Sequence, residues 1–427
     1  MPIVPPDATP PAPPANTLQT HQVLSANAQA GPGDTDFLIS PEKILQTFLE
    51  LVRIPSPSGQ EEKVRNYLEA RLQSLGISKQ DALLPDQANY IVDPVGSLII
   101  YLPSNAQSTQ TLLMNAHMDV VPPCLNIRPV IKIDPALSGE NRVVYSSGDT
   151  VLGGDDKSAL APMLEALSDS LAHNRPRPNL IITWTAQEEL GAAGAARMDS
   201  RWYAQKPFRA DLALSFDING EQGTVVYQAP QLTLWHADVH GKSAHAGIEP
   251  EKGVNALKAA IVSANQIPLG RLDSETTVNI GKIQSGEKFN IVPGSAQVSG
   301  EVRSFNPVRV GQELENIQRA FTAGTQKVPG TRYTWEQQTL FNAYRTNLDL
   351  PIFEPLKAAF KETKLPLNPI RTTGGSDANV FAAHGIPSVV LSGAYNNPHQ
   401  NDEFVRVRDM ATQAQLILNI WQQYARH

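Results

Sequence analysis

Short runs of apolar residues recur along this chain, and several of them end abruptly in His or acidic side chains. Leu112-Leu113-Met114 leads into Asn115-Ala116-His117-Met118-Asp119, the run Leu180 to Trp184 leads into Thr185-Ala186-Gln187-Glu188-Glu189, and Leu212 to Phe216 leads into Asp217. Runs this short and this continuously apolar read as strands buried on both faces, which a sheet achieves when helices cover it on either side. The intervening segments supply those helices. One is expected to start near Ser40, whose hydroxyl can cap while Pro41 takes the first helical position, with Ile44, Leu45, Phe48, Leu49 and Val52 as its apolar stripe. Others are expected over Glu61 to Leu75, Lys157 to about Ala172, Pro351 to Glu362, from the Gly374 loop to His384, and from Arg408 onward. They alternate with strands at Ser97 to Leu102, Thr111 to Ala116, Leu180 to Thr185, Leu212 to Phe216 and Ser388 to Leu391. The expected fold class is α/β, a mixed and mostly parallel sheet flanked by helices.

Near residue 230 the pattern changes. Leu232 to Val239 alternates, a helix follows at Gly253 to Gln266, two strand-like runs occur at Thr276 to Ile283 and Ala296 to Ser304, and a helix at Val310 to Thr322 precedes a strand at Arg332 to Gln337. That order is an α+β sandwich inserted into the larger unit. A chain of 427 residues is long for one hydrophobic core, so residues 35–229 and 342–427 are assigned to one domain and residues 230–341 to the insertion. Residues 1–34 hold eight prolines among Ala, Asn, Gln and Thr, too little apolar surface to offset ordering entropy, and are expected to form a disordered tail.

Composition narrows the functional classes. A net charge of -7 without clustered Lys and Arg disfavours nucleic acid. No apolar run reaches the roughly 18 residues that span a bilayer, and no basic stretch followed by an apolar one marks a secretory signal, so a cytoplasmic location is expected. The single cysteine, Cys124, excludes an internal disulfide and a zinc ribbon. Any metal site must therefore use His and carboxylates.

Such residues lie where open α/β sheets place their ligands, just past the strands. His117 and Asp119 could be a metal ligand and the acid that fixes its tautomer, or a strand-end pair bonded to loop backbone. Asp155 and Asp156, after Gly153-Gly154 and before Lys157, could cap a helix, yet a carboxylate held there could also bridge two cations. Glu188 and Glu189 at a buried strand end repel one another, and cations nearby remove that difficulty. Asp217 and His399, within Asn396-Asn397-Pro398-His399-Gln400, complete a set of two His and three carboxylates sufficient for a dinuclear site.

In these motifs the chain resembles the co-catalytic zinc peptidases and deacylases that include peptidase T, carboxypeptidase G, acetylornithine deacetylase and succinyl-diaminopimelate desuccinylase. The resemblance spans about residues 40–420 and is carried in order by His117-x-Asp119, Gly154-Asp155-Asp156-Lys157, Glu188-Glu189, Asp217 and His399. It implies two Zn2+ per subunit, with Co2+ or Mn2+ acceptable to such ligands. His117 and Asp217 would hold one ion, Glu189 and His399 the other, and Asp155 would bridge them through a segment whose Asp155–Asp156 peptide is cis. Asp119 would orient His117 and Glu188 would be the general base. The segment Gly241-Lys242-Ser243-Ala244-His245-Ala246-Gly247 resembles the family's lid, whose His stabilises the oxyanion, commonly from the partner of a homodimer formed through the lid domain. Asn290, Arg303 and Gly375 resemble substrate-binding positions.

The mechanism this implies begins with a hydroxide bridging the two metals, which attacks the amide carbonyl while Glu188 takes its proton and passes it to the leaving amine. Gly374-Gly375-Ser376-Asp377-Ala378-Asn379 and Gly393-Ala394-Tyr395-Asn396 look like the peptidase T branch, which implies an aminopeptidase for short peptides. A carboxypeptidase or N-acyl amino acid deacylase is the alternative, favoured if Arg303 grips a carboxylate. Serine or cysteine chemistry lacks support: there is no Gly-x-Ser-x-Gly, and Cys124 follows Pro122-Pro123 without a paired base. A catalytically silent binding protein would show a missing ligand, and every ligand position is filled.

Overall fold

The computed structural model describes residues 37–427, and the tail expected over residues 1–34 lies outside the described residues. A ten-stranded sheet forms the larger layer, in the order Ser78–Lys79, Asn89–Val92, Leu98–Leu102, Asn179–Thr185, Thr111–His117, Leu212–Ile218, Ser388–Ser392, Thr224–Ala229 and Tyr344–Arg345, with Asn368–Arg371 also pairing Thr224–Ala229. Its four middle strands, Asn179–Thr185, Thr111–His117, Leu212–Ile218 and Ser388–Ser392, are mutually parallel, and their neighbours on either side run antiparallel. Parallel strands deliver their carboxyl ends to one edge of a sheet. His117 and Asp217 lie at those ends, and the segment carrying Glu188 and Glu189 emerges there too. Consecutive strands also fall on opposite sides of Thr111–His117, which makes this edge a switch point of the topology.

The period-two geometry of strands separates the two cores. Leu112, Met114 and Ala116 join the core beneath Pro41–Val52, Gly154–Ala172 and Val407–Tyr424, whereas Leu113 joins Ile181, Tyr203 and Phe381 on the other face. Asn115 and His117 share the face of Leu113, so this side of the strand turns polar as it nears its end. The helix at Pro41 begins where expected, but the Ser40 hydroxyl makes no cap bond. Ser40 is exposed, Pro41 has no N–H to satisfy, and water can serve the remaining donors.

The loop over residues 127–144 is partly ordered as strand. Val130–Ile133 pairs with Arg142–Tyr145, which continues through Phe404–Arg406 to Tyr395–Asn396 in a four-stranded antiparallel sheet. Val130–Ile133 is exposed along its whole length, so burial left no signature in its sequence. Tyr395–Asn396 and Phe404–Arg406 flank the segment bearing His399 and pack against the helix Gly154–Ala172, which bears Asp155.

A separate five-stranded antiparallel sheet is ordered Gly270–Arg271, Thr276–Ser285, Ser295–Ser304, Gln231–His240 and Arg332–Phe341. Ala256–Ala264 and Pro307–Lys327 cover one face, closing a core around Trp235, Val298, Ile317 and Phe321. The second helix is longer than its apolar stripe suggests, because Asn306 caps it and Pro307 occupies its first position. Arg371 joins the two units through Glu275 at 2.7 Å.

Candidate metal centre

His117 ends its strand almost completely buried. Its Nε2 lies 3.0 Å from Asp155 Oδ1 and 3.8 Å from Asp217 Oδ1, while its Nδ1 lies 3.0 Å from the Asp119 carbonyl oxygen. The Asp119 carboxylate is farther from this ring nitrogen, at 3.5 Å. That carboxylate instead accepts the N–H groups of Glu188 at 2.9 Å and Glu189 at 3.1 Å, and the Ser58 hydroxyl at 2.7 Å.

Asp155 is presented by a turn that only glycine permits. Gly153 has φ 72°, and a Cβ on Gly154 would stand 2.7 Å from Val405 Cγ2 and 2.9 Å from Glu403 Oε1. Asp155 and Asp156 keep non-helical dihedrals, and the peptide between them is cis. Asp155 Oδ2 faces a second imidazole, His399 Nε2, at 3.4 Å. The same nitrogen is 2.9 Å from Glu189 Oε1. Tyr395 donates its hydroxyl to Asp217 Oδ1 at 3.0 Å.

Two acid–imidazole groups are compact enough to share a cation: His117 with Asp155 and Glu189, and His117 with Asp156 and Asp217, each offering atoms within 4.8 Å of one another. Asp156 is thus within ligand range, a position for which the resemblance implied no metal. Its Oδ2 accepts the His117 N–H at 3.2 Å, and its Oδ1 is buried without a hydrogen-bond partner.

The electrostatics of this cluster match a site built for cations. Burial pushes the carboxyls of Glu188 and Asp217 well up, and neighbouring acids add to it. Burial likewise raises Glu189. Asp155 behaves differently: burial pushes it up, but hydrogen bonds from His117 and His399 outweigh this and bring it down to about 2. The hydrogen bonds to Asp155 and Glu189 lift His399 to about 10. Protons therefore hold together a group of acids and imidazoles that divalent cations would hold better, and hard or borderline oxygen and imidazole donors suit such ions. The residues fit a dinuclear metal site.

The positions expected to meet substrate are placed differently. His245 is exposed in a short two-stranded sheet, Ala244–His245 paired with Ile291–Val292, its Nδ1 accepting the N–H groups of Gly247 at 3.2 Å and Ile248 at 3.1 Å. Its other nitrogen is thereby left to carry the proton. Asn290 is exposed and its carbonyl accepts the Ala246 N–H. Arg303 grips Glu301 with Nε at 2.9 Å and Nη2 at 3.1 Å, and reaches the Thr373 carbonyl at 3.2 Å. At Gly375 a Cβ would meet the Phe341 ring at 2.0 Å, so close packing requires glycine there. None of these four shares a hydrogen bond or ion pair with the metal-site residues among the described contacts.

Tyr395, within the Gly393-Ala394-Tyr395-Asn396 segment that carries part of the resemblance, supports the centre through Asp217. Glu403 supports it without having stood out in sequence: it is one acid in a polar loop, and no local pattern separates it from a surface residue.

Residues 113–423 match the model of peptidase family M20/M25/M40. An uncharacterised protein of Bacillus subtilis strain 168 is 31% identical over 390 residues, covering 91% of this chain and all of that protein. A peptidase T of Haemophilus influenzae is 25% identical over 86% of this chain and 91% of its own length. Among solved structures, a tripeptidase from Staphylococcus aureus superposes with a TM-score of 0.80 at 28% identity, over 91% of this chain and all of that one. An aminopeptidase PepT from Bacillus cereus gives 0.76 at 31% identity, over 91% and 99%. With a family match over most of its length and relatives on the peptidase T side, the chain belongs to peptidase family M20/M25/M40.

Proposed function

We propose that the protein is a dinuclear zinc aminopeptidase for short peptides. One observation carries this reading: Asp155 turns one oxygen to His117 and the other to His399, at 3.0 and 3.4 Å, as a carboxylate bridging two ions does. His117, Asp155 and Asp217 would hold one ion, and Asp155, Glu189 and His399 the other. When bound, the pair supplies Lewis acidity that polarises the scissile carbonyl and acidifies water. Glu188 then has a definite task. Its buried carboxylate accepts a proton from the attacking water and returns it to the leaving amine. Asp119 holds the backbone of Glu188 in place and, through its carbonyl, the tautomer of His117.

In this reading residues 35–229 and 342–427 are the catalytic domain and residues 230–341 a lid that also forms a homodimer. His245 donates from its free ring nitrogen to the oxyanion of the partner's substrate, with Asn290, Arg303 and Gly375 near the peptide. A cytoplasmic location agrees with a lone, buried, free cysteine. The peptidase T and tripeptidase relatives support the aminopeptidase assignment.

Arg303 supports a second reading, a carboxypeptidase or N-acyl amino acid deacylase, since its guanidinium reaches the Gly374 loop and could exchange Glu301 for a substrate carboxylate. Metal analysis with a tripeptide panel blocked at either end decides. Cleavage of C-amidated but not N-acetylated peptides is expected. The reverse selects the second reading, and two bound metals with no hydrolysis would mark a silent binding protein.

A further inference from the structure

The turn that presents Asp155 is held by a residue far along the chain. Glu403, 1% exposed, accepts three backbone N–H groups: Leu152 at 2.7 Å and Gly153 at 2.9 Å through Oε2, and Asp155 itself at 2.8 Å through Oε1. Leu152, Gly153 and Asp155 are buried, so water is not at hand to satisfy these donors. They precede the helix Gly154–Ala172 or form its first turn, where no intrahelical acceptor exists. Gly154 lacks the Cβ that would press against Glu403 and Val405, which lets the acid close on the turn.

The imidazoles of His117 and His399 hold the Asp155 side chain, whereas Glu403 holds its backbone N–H. The dihedrals of Asp155 are non-helical, so the regular helix that follows does not fix its backbone. The strand Phe404–Arg406, paired with Arg142–Tyr145, anchors Glu403 from the other side. The same segment carries His399, four positions earlier. Glu403 thus ties the residue facing both imidazoles to the element bearing one of them.

We infer that Glu403 is a positioning residue for the dinuclear site, which sets the location of Asp155 and through it the binding of both cations. This rests on the metal-site reading above. Loss of a ligand that serves one ion weakens that ion most. Loss of the Glu403 clamp displaces the carboxylate shared by both, so both weaken together.

The test is titration of the metal-free protein with Co2+ against a chromophoric chelator, at a temperature where each variant is folded by circular dichroism, with the Co2+ absorption spectrum as a second readout. Glu403→Gln is expected to weaken both Co2+ binding events by about 10- to 100-fold and to alter the spectrum. Glu165→Gln is the control for a merely structural role. Glu165 is a fully buried carboxylate bonded to Thr47, Lys43 and Arg71, and its loss should lower stability while leaving both affinities unchanged. Wild-type affinity and spectrum in Glu403→Gln overturn the inference. If that variant does not fold, Glu403→Asp, which keeps the charge but shortens the reach, is judged by the same criterion. A wild-type protein that takes up no Co2+ would instead overturn the metal-site reading itself.

Discussion

The N–H of Glu188 donates to the carboxylate of Asp119 at 2.9 Å, which joins the first acid of the Glu188-Glu189 pair to a residue two positions beyond the first imidazole. Because Asp119 also accepts the Glu189 N–H and the Ser58 hydroxyl, it orients a segment rather than a single ring. Asp119→Ala should therefore lower kcat by about 10- to 100-fold and weaken the metal at His399 as well as the one at His117. Steady-state kinetics with metal titration check both. An effect confined to His117's ion would leave Asp119 as a tautomer holder only.

Glu188→Ala should abolish turnover, by about a hundredfold or more, while two metals stay bound. Among the described residues, the Glu188 side chain makes no hydrogen bond or ion pair with His117, Asp155 or His399, which bond one another and Glu189. Metal content by plasma emission, beside the activity assay, reads the outcome, and an active variant or one stripped of metal contradicts the assignment.

Tyr395→Phe removes the donor to Asp217 Oδ1 at 3.0 Å. A largely buried carboxylate that loses a partner costs about 1–3 kcal/mol. The expected result is a lower melting temperature for the metal-free protein and weaker binding of one cation more than the other. Equal weakening of both would mean that the tyrosine acts through the shared Asp155.

Stability should depend on pH in a direction set by acids that are raised in the fold. Burial pushes Asp377 from 3.8 up to about 6, and Glu403 from 4.5 up to about 7. The folded chain keeps protons that the unfolded chain would release, so their contribution is whole below their unfolded values and is lost as pH rises through 6 to 7. His399, lifted by its acid partners from 6.5 to about 10, acts in the same sense at higher pH. Asp155 opposes them only in strong acid, its contribution being lost as pH falls from 3.8 towards about 2. The metal-free protein should melt highest in mild acid and lower as pH rises, and saturating Co2+ should remove the decline because its ligands must be deprotonated. Calorimetry across pH with chelator or with Co2+ measures this, and a metal-free melting temperature that climbs from mild acid to mild alkali contradicts it.

The middle of the sheet was legible because its strands are buried on both faces: every residue of Thr111–His117 is buried, and the sequence shows it. Edge elements were not. Val130–Ile133 and Asn368–Arg371 are short and exposed throughout, so neither shows the two-faced burial that marks the middle strands, even though the first is rich in β-branched residues. Ser40 had the residue type of a cap and made no cap bond, because an exposed helix end can use water instead.

The sequence by itself determined the chemistry available at the strand ends: which positions carry imidazole and carboxylate, and that Gly153 and Gly154 allow a turn no other residues would. Those properties belong to single residues and their immediate neighbours. Only the tertiary structure decided that Asp155 would show one oxygen to His117 and the other to His399, that Asp119 would hold Glu188 rather than only a ring, and that Glu403 would close on Asp155. Each of these depends on parallel strands ending at one edge and on a chain that returns 248 residues later to meet its partner, distances over which no local pattern carries information.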